Sequence, residues 1–368
     1  MPGRFDLLAD VRDWHAPGFD VFASGMVFLD IIFAGLPGLP KPGTEIWSDG
    51  MASCPGGIAN FGIAARRLGL RTSIAGAFGD DDYAEFCWRT LSEEGVDLTR
   101  SKRYPGWHSP VTVSLAVDHD RSMITHGHPA PESESAMIGD PPPTLSVKCD
   151  LAEHAIFEDG AWVRTARSAG AVVMADVGWD PADGWQPQVL DNLQHCDIFV
   201  PNAVEALSYT RASTVRGALY DLADRVPIAV VTDGADGAHA IDSRTGEEAS
   251  VPALRVRELD PTGAGDVFST GFLLGTLAGW PLEQRLDLAC LCSGLALQQY
   301  GGSLAAPGWG DVVDWWREVS ETPTDDAYHR SLKRRFGFLD DLAPKVERGA
   351  KRRATATTAR LADASGLV

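Results

Sequence analysis

Apolar and polar positions alternate along the central part of this chain with two different periods. Short runs rich in β-branched residues, such as AVVMADV at 171–177 and IAVVTDG at 228–234, are typical of buried strands. Helical spacing of apolar residues predicts helices at 160–169, near 186–194 and near 203–223. This alternation predicts right-handed β-α-β units, and therefore a mostly parallel α/β sheet with helices on both faces.

The first third of the chain has a different pattern. Residues 20–36 cluster apolar and aromatic side chains like a buried strand, and the three prolines that follow exclude a helix over 37–42. Residues 58–70 show helical spacing, with Gly69 placed as a C-cap. The run VTVSLAVDHDRSMITH at 111–126 predicts two short strands around an Asp-rich turn.

The two ends of the chain differ from this core. Residues 1–18 form a polar N-terminal extension. Residues 321–368 carry ten basic and seven acidic side chains, although the chain as a whole is acidic. We expect this basic C-terminal tail to be mobile, with a short helix at most.

Composition and charge narrow the class of protein. The 368 residues are 44% hydrophobic, which is too apolar for a disordered chain and sufficient for a large core. The 32 basic residues are outnumbered by 51 acidic ones, which gives a net charge of −19 at pH 7. Because such a surface repels phosphate backbones and anionic lipids, we expect neither a nucleic acid nor a membrane as partner.

The spacing of the cysteines and the N-terminal sequence indicate the cellular compartment of the protein. The six cysteines are scattered between Cys54 and Cys292 without a C-x-x-C pair, unlike the disulfide frameworks of small secreted chains. The first residues lack the basic-then-apolar pattern of a signal peptide. These features predict reduced thiols and a cytoplasmic protein.

The sharpest motif is DPTGAGD at 260–266, which opens an apolar helix. Small residues at Gly263, Ala264 and Gly265 let backbone N–H groups approach a ligand, and a helix start attracts anions. Asp266 then falls in the first turn, beside the anion that it would help to process. The alternative is a capped helix after a tight turn.

A second glycine-rich segment precedes the predicted helix at 58–70. Gly56 and Gly57 permit close backbone approach, and Asn60 in the first turn offers an amide to a polyhydroxy ligand. The alternative is a loop followed by a capping residue.

Two motifs follow predicted strands, where open α/β sheets bind ligands. Asn202 and Glu205 are i, i+3 neighbours that could share a hydrated Mg²⁺, or equally form an N-terminal capping box. The turn from Thr232 to Gly237 either cradles phosphate or starts a hairpin.

The four motifs together, in this order, resemble the PfkB carbohydrate kinase family, also called the ribokinase-like family. The resemblance covers roughly residues 20–310, through CPGGIANFGIAARRLG, PNAVE, VVTDGADG and DPTGAGDVFSTGFLLG. It implies a ribokinase-like kinase domain over 19–320, with a small β lid whose strands lie within 28–52 and 108–126. Because lids of this family can pair between subunits, it also implies a homodimer through the lid.

The resemblance implies a role for each matching position. Asp266 matches the catalytic base, and the backbone of Gly263, Ala264 and Gly265 matches the anion hole. The positions that match substrate-binding residues are Asp30, Gly56, Gly57 and Asn60. Those that match nucleotide or Mg²⁺ contacts are Asn202, Glu205 (acting on Mg²⁺ indirectly), Thr232, Gly234, Gly237 and Gly265. Asp260 and Thr262 match positions that hold K⁺ in some members.

The implied activity is ATP-dependent, Mg²⁺-requiring phosphorylation of a hydroxyl on a small sugar or sugar-like substrate. Within the family the alternative is a nucleoside kinase of the adenosine type. From another class, the alternative is a sugar-binding regulator that kept the fold without catalysis. An intact Asp266 favours an enzyme, since a pure binder has no use for a base.

Overall fold

A computed structural model describes residues 5–12, 15–117, 120–151, 160–178, 184–323 and 326–347. The strands are β1 (Phe19–Ser24), β2 (Val27–Ala34), β3 (Gly50–Gly57), β4 (Thr72–Ala75), β5 (Ala77–Phe78), β6 (Lys102–Arg103), β7 (Val111–Val117), β8 (Asp120–His126), β9 (Thr144–Asp150), β10 (Val172–Asp176), β11 (Ile198–Phe199), β12 (Ile228–Thr232), β13 (Ala238–Asp242) and β14 (Glu247–Val251).

The helices connect and cover these strands. They are α1 (Ile58–Arg67), α2 (Asp82–Glu94), α3 (Glu134–Ile138), α4 (Ala161–Ser168), α5 (Ala203–Thr210), α6 (Val215–Ala223), α7 (Ala264–Leu277), α8 (Leu282–Ala296), α9 (Trp309–Glu321) and α10 (Ala327–Arg335). Short 3₁₀ helices lie at Pro187–His195, Gly234–Asp236, Gly302–Ala305, Gly337–Asp341 and Ala343–Lys345.

Eight strands form the central sheet, in the order β14-β13-β12-β11-β10-β9-β1-β4. The six strands from β12 to β4 run parallel, and β13 and β14 add an antiparallel edge. The mostly parallel sheet that the alternation predicts is thus confirmed. Its carboxyl edge gathers the ends of β9, β10, β11 and β12, which is where doubly wound sheets bind ligands.

Side chains of each central strand point alternately into two separate cores, so both faces of the sheet are covered. On β1, Val21 and Ala23 belong to one core and Phe22 to the other. Helices α1, α7 and α8 pack on the first face, and α4, α5 and α6 on the second. This alternation is what a parallel strand needs when helices cover both of its faces.

A separate four-stranded sheet, β3-β2-β7-β8, lies in the region predicted to form a lid and is called the lid here; its strand β3 extends to Gly57, beyond the predicted limit at residue 52. Asp30 on β2 pairs with Cys54 on β3 and with Thr112 on β7, and Thr112 pairs with Thr125 on β8. Because paired residues of neighbouring strands project to the same side, these four side chains share one face of the lid.

The C-terminal region differs from the sequence expectation. Residues 327–346 are not a mobile tail: Leu332, Phe336 and Leu339 are buried in the main core. Five apolar side chains among many charges are enough to seat this segment, although its overall composition is polar. Residues 348–368, the rest of the predicted tail, lie outside the described residues.

The predicted helix at 203–223 is two helices, because Arg211 adopts a left-handed conformation (φ 61°) that ends α5. The helix predicted near 186–194 is a 3₁₀ helix instead. Among the described residues, no helix combines the length and apolar character needed to cross a membrane.

The N-terminal extension is held to the sheet by an ion cluster around Asp20. Asp20 is fully buried and accepts hydrogen bonds from Arg12 Nε at 2.7 Å and from Arg71 Nη2 at 2.8 Å. Burial opposes ionisation of this carboxyl, but the hydrogen bonds from Arg12 and Arg71 outweigh it and lower its pKa.

We expect Asp20→Asn to lower the free energy of unfolding by about 2–4 kcal/mol at pH 7, because it leaves two guanidinium groups without their carboxylate. A carboxyl whose pKa is lowered in the folded state stabilises the fold at pH values above its ordinary pKa. This contribution is lost as the pH falls towards the lowered pKa. Denaturant titrations at pH 7 and pH 3.5 should therefore show that the difference in the free energy of unfolding between the wild type and Asp20→Asn is smaller at pH 3.5. Asp6→Asn, which removes the half-buried second partner of Arg12, is the control with the smaller effect. A difference that stayed constant with pH would contradict this account.

Candidate active site

The segment 260–266 makes a tight turn into α7 and leaves the start of that helix unobstructed. Gly263, the residue before the helix, has φ +76°, a conformation that favours glycine. A Cβ on Gly265 would meet no atom within 4 Å, so the space in front of the helix is open. Accessible N–H groups and the positive end of the helix dipole both attract negative charge. The turn is therefore suited to hold a phosphate group.

Asn60 and Asp266 meet where α1 and α7 begin. Asn60 Nδ2 donates a hydrogen bond to Asp266 Oδ2 at 3.2 Å. A Cβ on Gly263 would lie 3.1 Å from Asn60 Cγ, so a larger residue there would displace the amide. Asn60 Oδ1 is buried and has no hydrogen-bond partner among the described residues. Since buried polar atoms normally have a partner, this oxygen marks a position for a donor such as a ligand hydroxyl.

Asp30 projects from the lid and lies against the backbone of Gly56. A Cβ at Gly56 would come within 1.9 Å of Asp30 Oδ2, so only glycine leaves room for this carboxylate. Gly57 is likewise constrained, with φ +60° where β3 passes into α1. The lid carboxylate and the amide of Asn60 are thus linked by one short stretch of chain.

Asp260 fastens this turn to the neighbouring loop rather than projecting into open space. Its carboxylate accepts from the backbone N–H of Thr262 at 2.9 Å and of Gly301 at 3.0 Å. Thr262 Oγ1, by contrast, is buried without a hydrogen-bond partner in the described part of the chain. Of the two residues predicted to hold K⁺, Thr262 thus has a buried oxygen without a hydrogen-bond partner among the described residues, whereas the Asp260 carboxylate is hydrogen-bonded to backbone N–H groups.

A cavity of about 380 Å³ lies on the other side of the α7 start. Four residues predicted to contact the nucleotide line it: Thr232, Gly234, Gly237 and Gly265. Apolar side chains, among them Leu254, Val256 and Leu297, line it as well. A glycine-rich entrance beside an apolar interior suits a ligand with a phosphate at one end and a flat ring at the other.

Asn202 and Glu205 form the capping box that the sequence left open as an alternative. Glu205 N donates to Asn202 Oδ1 at 2.9 Å, and Asn202 N donates to Glu205 Oε2 at 2.8 Å. Neither residue lines the cavity, although Asn202 is bridged to Thr232 through the backbone. Burial, with added repulsion from Asp176 and Asp150, raises the pKa of Glu205 to about 7. A cation placed here would relieve that repulsion, so the capping box and a role near Mg²⁺ are compatible.

Sequence reasoning missed Lys148, a buried lysine on β9. Its Nζ lies 2.7 Å from Asp176 Oδ2 and 5.5 Å from the centre of the Phe61 ring. Burial disfavours the ammonium, but the charges of Asp176 and Asp266 outweigh it and raise the pKa of Lys148 above its usual range. The available signal was a lysine near the carboxyl end of the short run TLSVKCD at 144–150, for which no strand is predicted from the sequence.

The arrangement defines a class of enzyme. An acidic residue stands in the first turn of a helix whose start is suited to hold an anion, with a cavity of nucleotide size on one side and the polar face of the lid on the other. This geometry suits phosphoryl transfer from a bound nucleotide, because such transfer depends on positioning and charge stabilisation.

Comparison with known proteins gives the family. The model of the pfkB family carbohydrate kinases matches residues 49–308, and this chain belongs to that family. Aminoimidazole riboside kinase of Salmonella typhimurium is 30% identical over 276 residues, which is 69% of this chain and 85% of that protein. A fructokinase of Escherichia coli is 29% identical over 297 residues, covering 71% and 91%. The chain is therefore a kinase of the PfkB family.

Solved structures share the fold. Aminoimidazole riboside kinase from Salmonella enterica, complexed with aminoimidazole riboside and an ATP analog, gives a TM-score of 0.66 at 25% identity, over 80% of this chain and 99% of that one. A structure from E. coli in complex with ATP and Mg²⁺ gives 0.69 at 22% identity, over 82% and 99%. The ribokinase-like fold expected from the sequence is confirmed.

Proposed function

We propose that this kinase transfers the γ-phosphoryl group of ATP to a hydroxyl of a small sugar or sugar-like substrate. The observation that carries the proposal is the contact between Asn60 and Asp266. Asn60 Nδ2 fixes the carboxylate, while Oδ1 remains for a donor from the acceptor. One amide would thus hold a hydroxyl beside the base that removes its proton.

The chain's own groups account for the remaining steps on the acceptor side. Asp266 takes the proton as the hydroxyl oxygen bonds to the γ-phosphorus and the bond to ADP breaks. The backbone N–H groups at Gly263, Ala264 and Gly265 would stabilise the charge on the transferred group. Asp30, held against Gly56, would accept a hydrogen bond from a second hydroxyl.

The nucleotide side rests on the cavity next to α7. Thr232, Gly234 and Gly237 would border the phosphates, and the apolar lining would receive the base. Mg²⁺, when bound, offsets the charge of the β- and γ-phosphates. Asn202 and Glu205 would hold its water ligands, which suits a carboxyl in an already acidic surrounding. The E. coli structure with ATP and Mg²⁺ supports this pairing of ligands.

A K⁺ site at Asp260 and Thr262 remains a prediction. Thr262 Oγ1 fits it as a buried oxygen without a partner, whereas the Asp260 carboxylate already accepts backbone N–H groups. Activity measured in K⁺, Na⁺ and tetramethylammonium at constant ionic strength would test the prediction. A cytoplasmic location likewise remains a prediction.

The experiment for the proposed function is an ADP-release assay with ATP and Mg²⁺ across a panel of acceptors. Ribose, fructose and 2-keto-3-deoxygluconate represent sugars, and adenosine and aminoimidazole riboside represent nucleosides. We expect one sugar-like acceptor to raise ADP release at least about tenfold over the acceptor-free rate. Mass spectrometry of the product then identifies a phosphate ester.

A riboside acceptor is the second candidate, because a relative at 30% identity is named for an aminoimidazole riboside. It is favoured if nucleosides are phosphorylated and free sugars are not. Should no acceptor raise ADP release while sugars still bind, the chain would instead be a sugar-binding regulator.

We also propose a homodimer through the outer face of the lid. Ile31 and Phe33 on β2 and Val113 on β7 are only half-buried on that face, and Ile124 on β8 is 67% exposed. A contiguous apolar sheet face of this kind favours a partner with the same surface.

Ile124→Lys should therefore convert a dimer into a monomer, because it places a charge at the most exposed apolar position of this face. Light scattering after size exclusion would then give about 39.4 kDa for the variant and twice that mass for the wild type. Val11→Lys changes an apolar residue outside the lid that is 57% exposed, and it should leave the dimer intact. A monomeric wild type would refute the proposal.

A further inference from the structure

The segment 326–346, here called the C-terminal brace, lies beyond the family-matched residues 49–308 and packs beside the nucleotide cavity. Phe336 contacts Trp315 edge-on with ring centres 4.9 Å apart, and Phe338 contacts Trp280 at 5.3 Å. These contacts seat the brace on α9 and on the connection between α7 and α8. The brace is therefore a fixed element from which side chains can act on their neighbours.

The brace holds one wall of the cavity through Tyr328. The backbone N–H of Arg255 donates to Tyr328 Oη at 2.9 Å, and the Arg255 guanidinium lies 4.6 Å from the centre of the same ring. The residues on either side, Leu254 and Val256, line the cavity. Tyr328 thus fixes the backbone of the wall at the point between its two lining residues.

The brace also supports α8, which forms the adjoining wall of the cavity, through Arg335. Arg335 forms an ion pair with Asp287 on α8, and both side chains are largely buried. Cys290, one turn further along α8, lines the cavity together with Ser293 and Gly294. The guanidinium of Arg335 also lies beside the Cys290 thiol. One short helix, α10, therefore contacts both walls.

The two walls are tightly packed against each other, so their spacing responds to small shifts. A Cβ on Gly294 would lie 3.1 Å from Leu254 Cδ1, closer than an ordinary contact. In interiors packed to this density, a displacement of either wall is felt by the other.

We infer that the C-terminal brace is a positioning element for the nucleotide, with Tyr328 and Arg335 holding the two adjoining cavity walls in place. The inference rests on the proposed use of the cavity by ATP. Neither residue takes part in the chemical step. Their loss should therefore weaken nucleotide binding and leave the acceptor side and the turnover rate nearly unchanged.

The test compares variants of the full chain by calorimetric binding of a non-hydrolysable ATP analogue and by steady-state kinetics. Tyr328→Phe, which keeps the ring and loses the hydroxyl, should weaken analogue binding about three- to tenfold and raise the KM for ATP equally. Arg335→Met should have a larger effect, and Arg335→Lys should recover part of it. The kcat and the acceptor KM should stay within about twofold of the wild type.

The matched control is Asp340→Ala in the same brace. Asp340 accepts from Trp316 Nε1 at 2.9 Å and contacts neither cavity wall. It should lower the melting temperature without changing analogue binding. The inference is overturned if Tyr328→Phe and Arg335→Met bind the analogue like the wild type, or if Asp340→Ala weakens binding as much as they do. A wild type that binds no analogue would instead refute the proposed function.

Discussion

Asp266→Asn should lower kcat by at least about a thousandfold while the affinity for a non-hydrolysable ATP analogue changes by less than about threefold. The substitution keeps the shape of the side chain in the first turn of α7 and removes only its ability to accept the hydroxyl proton. The N–H groups that would bind the phosphates belong to the backbone, so nucleotide binding should persist. Calorimetry measures the affinity for the ATP analogue, and an ADP-release assay measures kcat.

Asn60→Asp is the companion variant for this prediction. It removes the amide that donates to Asp266 and places a second carboxylate 3.2 Å away from it. We expect it to weaken acceptor binding and turnover together, whereas Asp266→Asn should affect turnover alone. Near-normal activity of Asp266→Asn would refute the assignment of the base.

Lys148→Met should lower kcat about a hundredfold, because it removes a buried cation that interacts electrostatically with the Asp266 carboxylate. The same loss should move the acid limb of the pH–rate profile to higher pH, since a nearby positive charge favours the ionised carboxylate. Lys148→Arg keeps the charge and should retain more activity. The pH profile of kcat/KM is the measurement.

Asp176→Asn distinguishes an effect of the Lys148 charge on catalysis from an effect on the stability of the protein. It breaks the ion pair of Lys148 but leaves the ammonium in place. Its acid limb should therefore not move upward, although its melting temperature falls. If Lys148→Met and Asp176→Asn shifted the profile in the same direction, Lys148 would be acting only through the fold.

The layered fold follows from local patterns, which is why sequence predicts it well. Strand β12 shows a continuous apolar run because helices cover both of its faces, and Gly263 and Asp266 are recognisable because they adjoin in the chain. Such features can be interpreted from residues that are close together in the sequence.

Other features depend on distant parts of the chain. Nothing adjacent to Lys148 in the chain marks it as functional. Its ion pair becomes apparent only when β9 is placed beside β10, which carries Asp176. Arg211 ends a helix through a backbone conformation that its residue type does not announce. Phe336 and Leu339 sit among charges, so composition hides that they are buried.

The contact between Arg255 and Tyr328 offers a route to selective inhibition. It lies on the outer side of the cavity wall, where the Arg255 side chain is exposed. A small molecule seated between this guanidinium and the ring would loosen the wall without occupying the place of ATP. Because the brace lies beyond residues 49–308, which the family model matches, the effect of such a compound would depend on a segment outside the matched region.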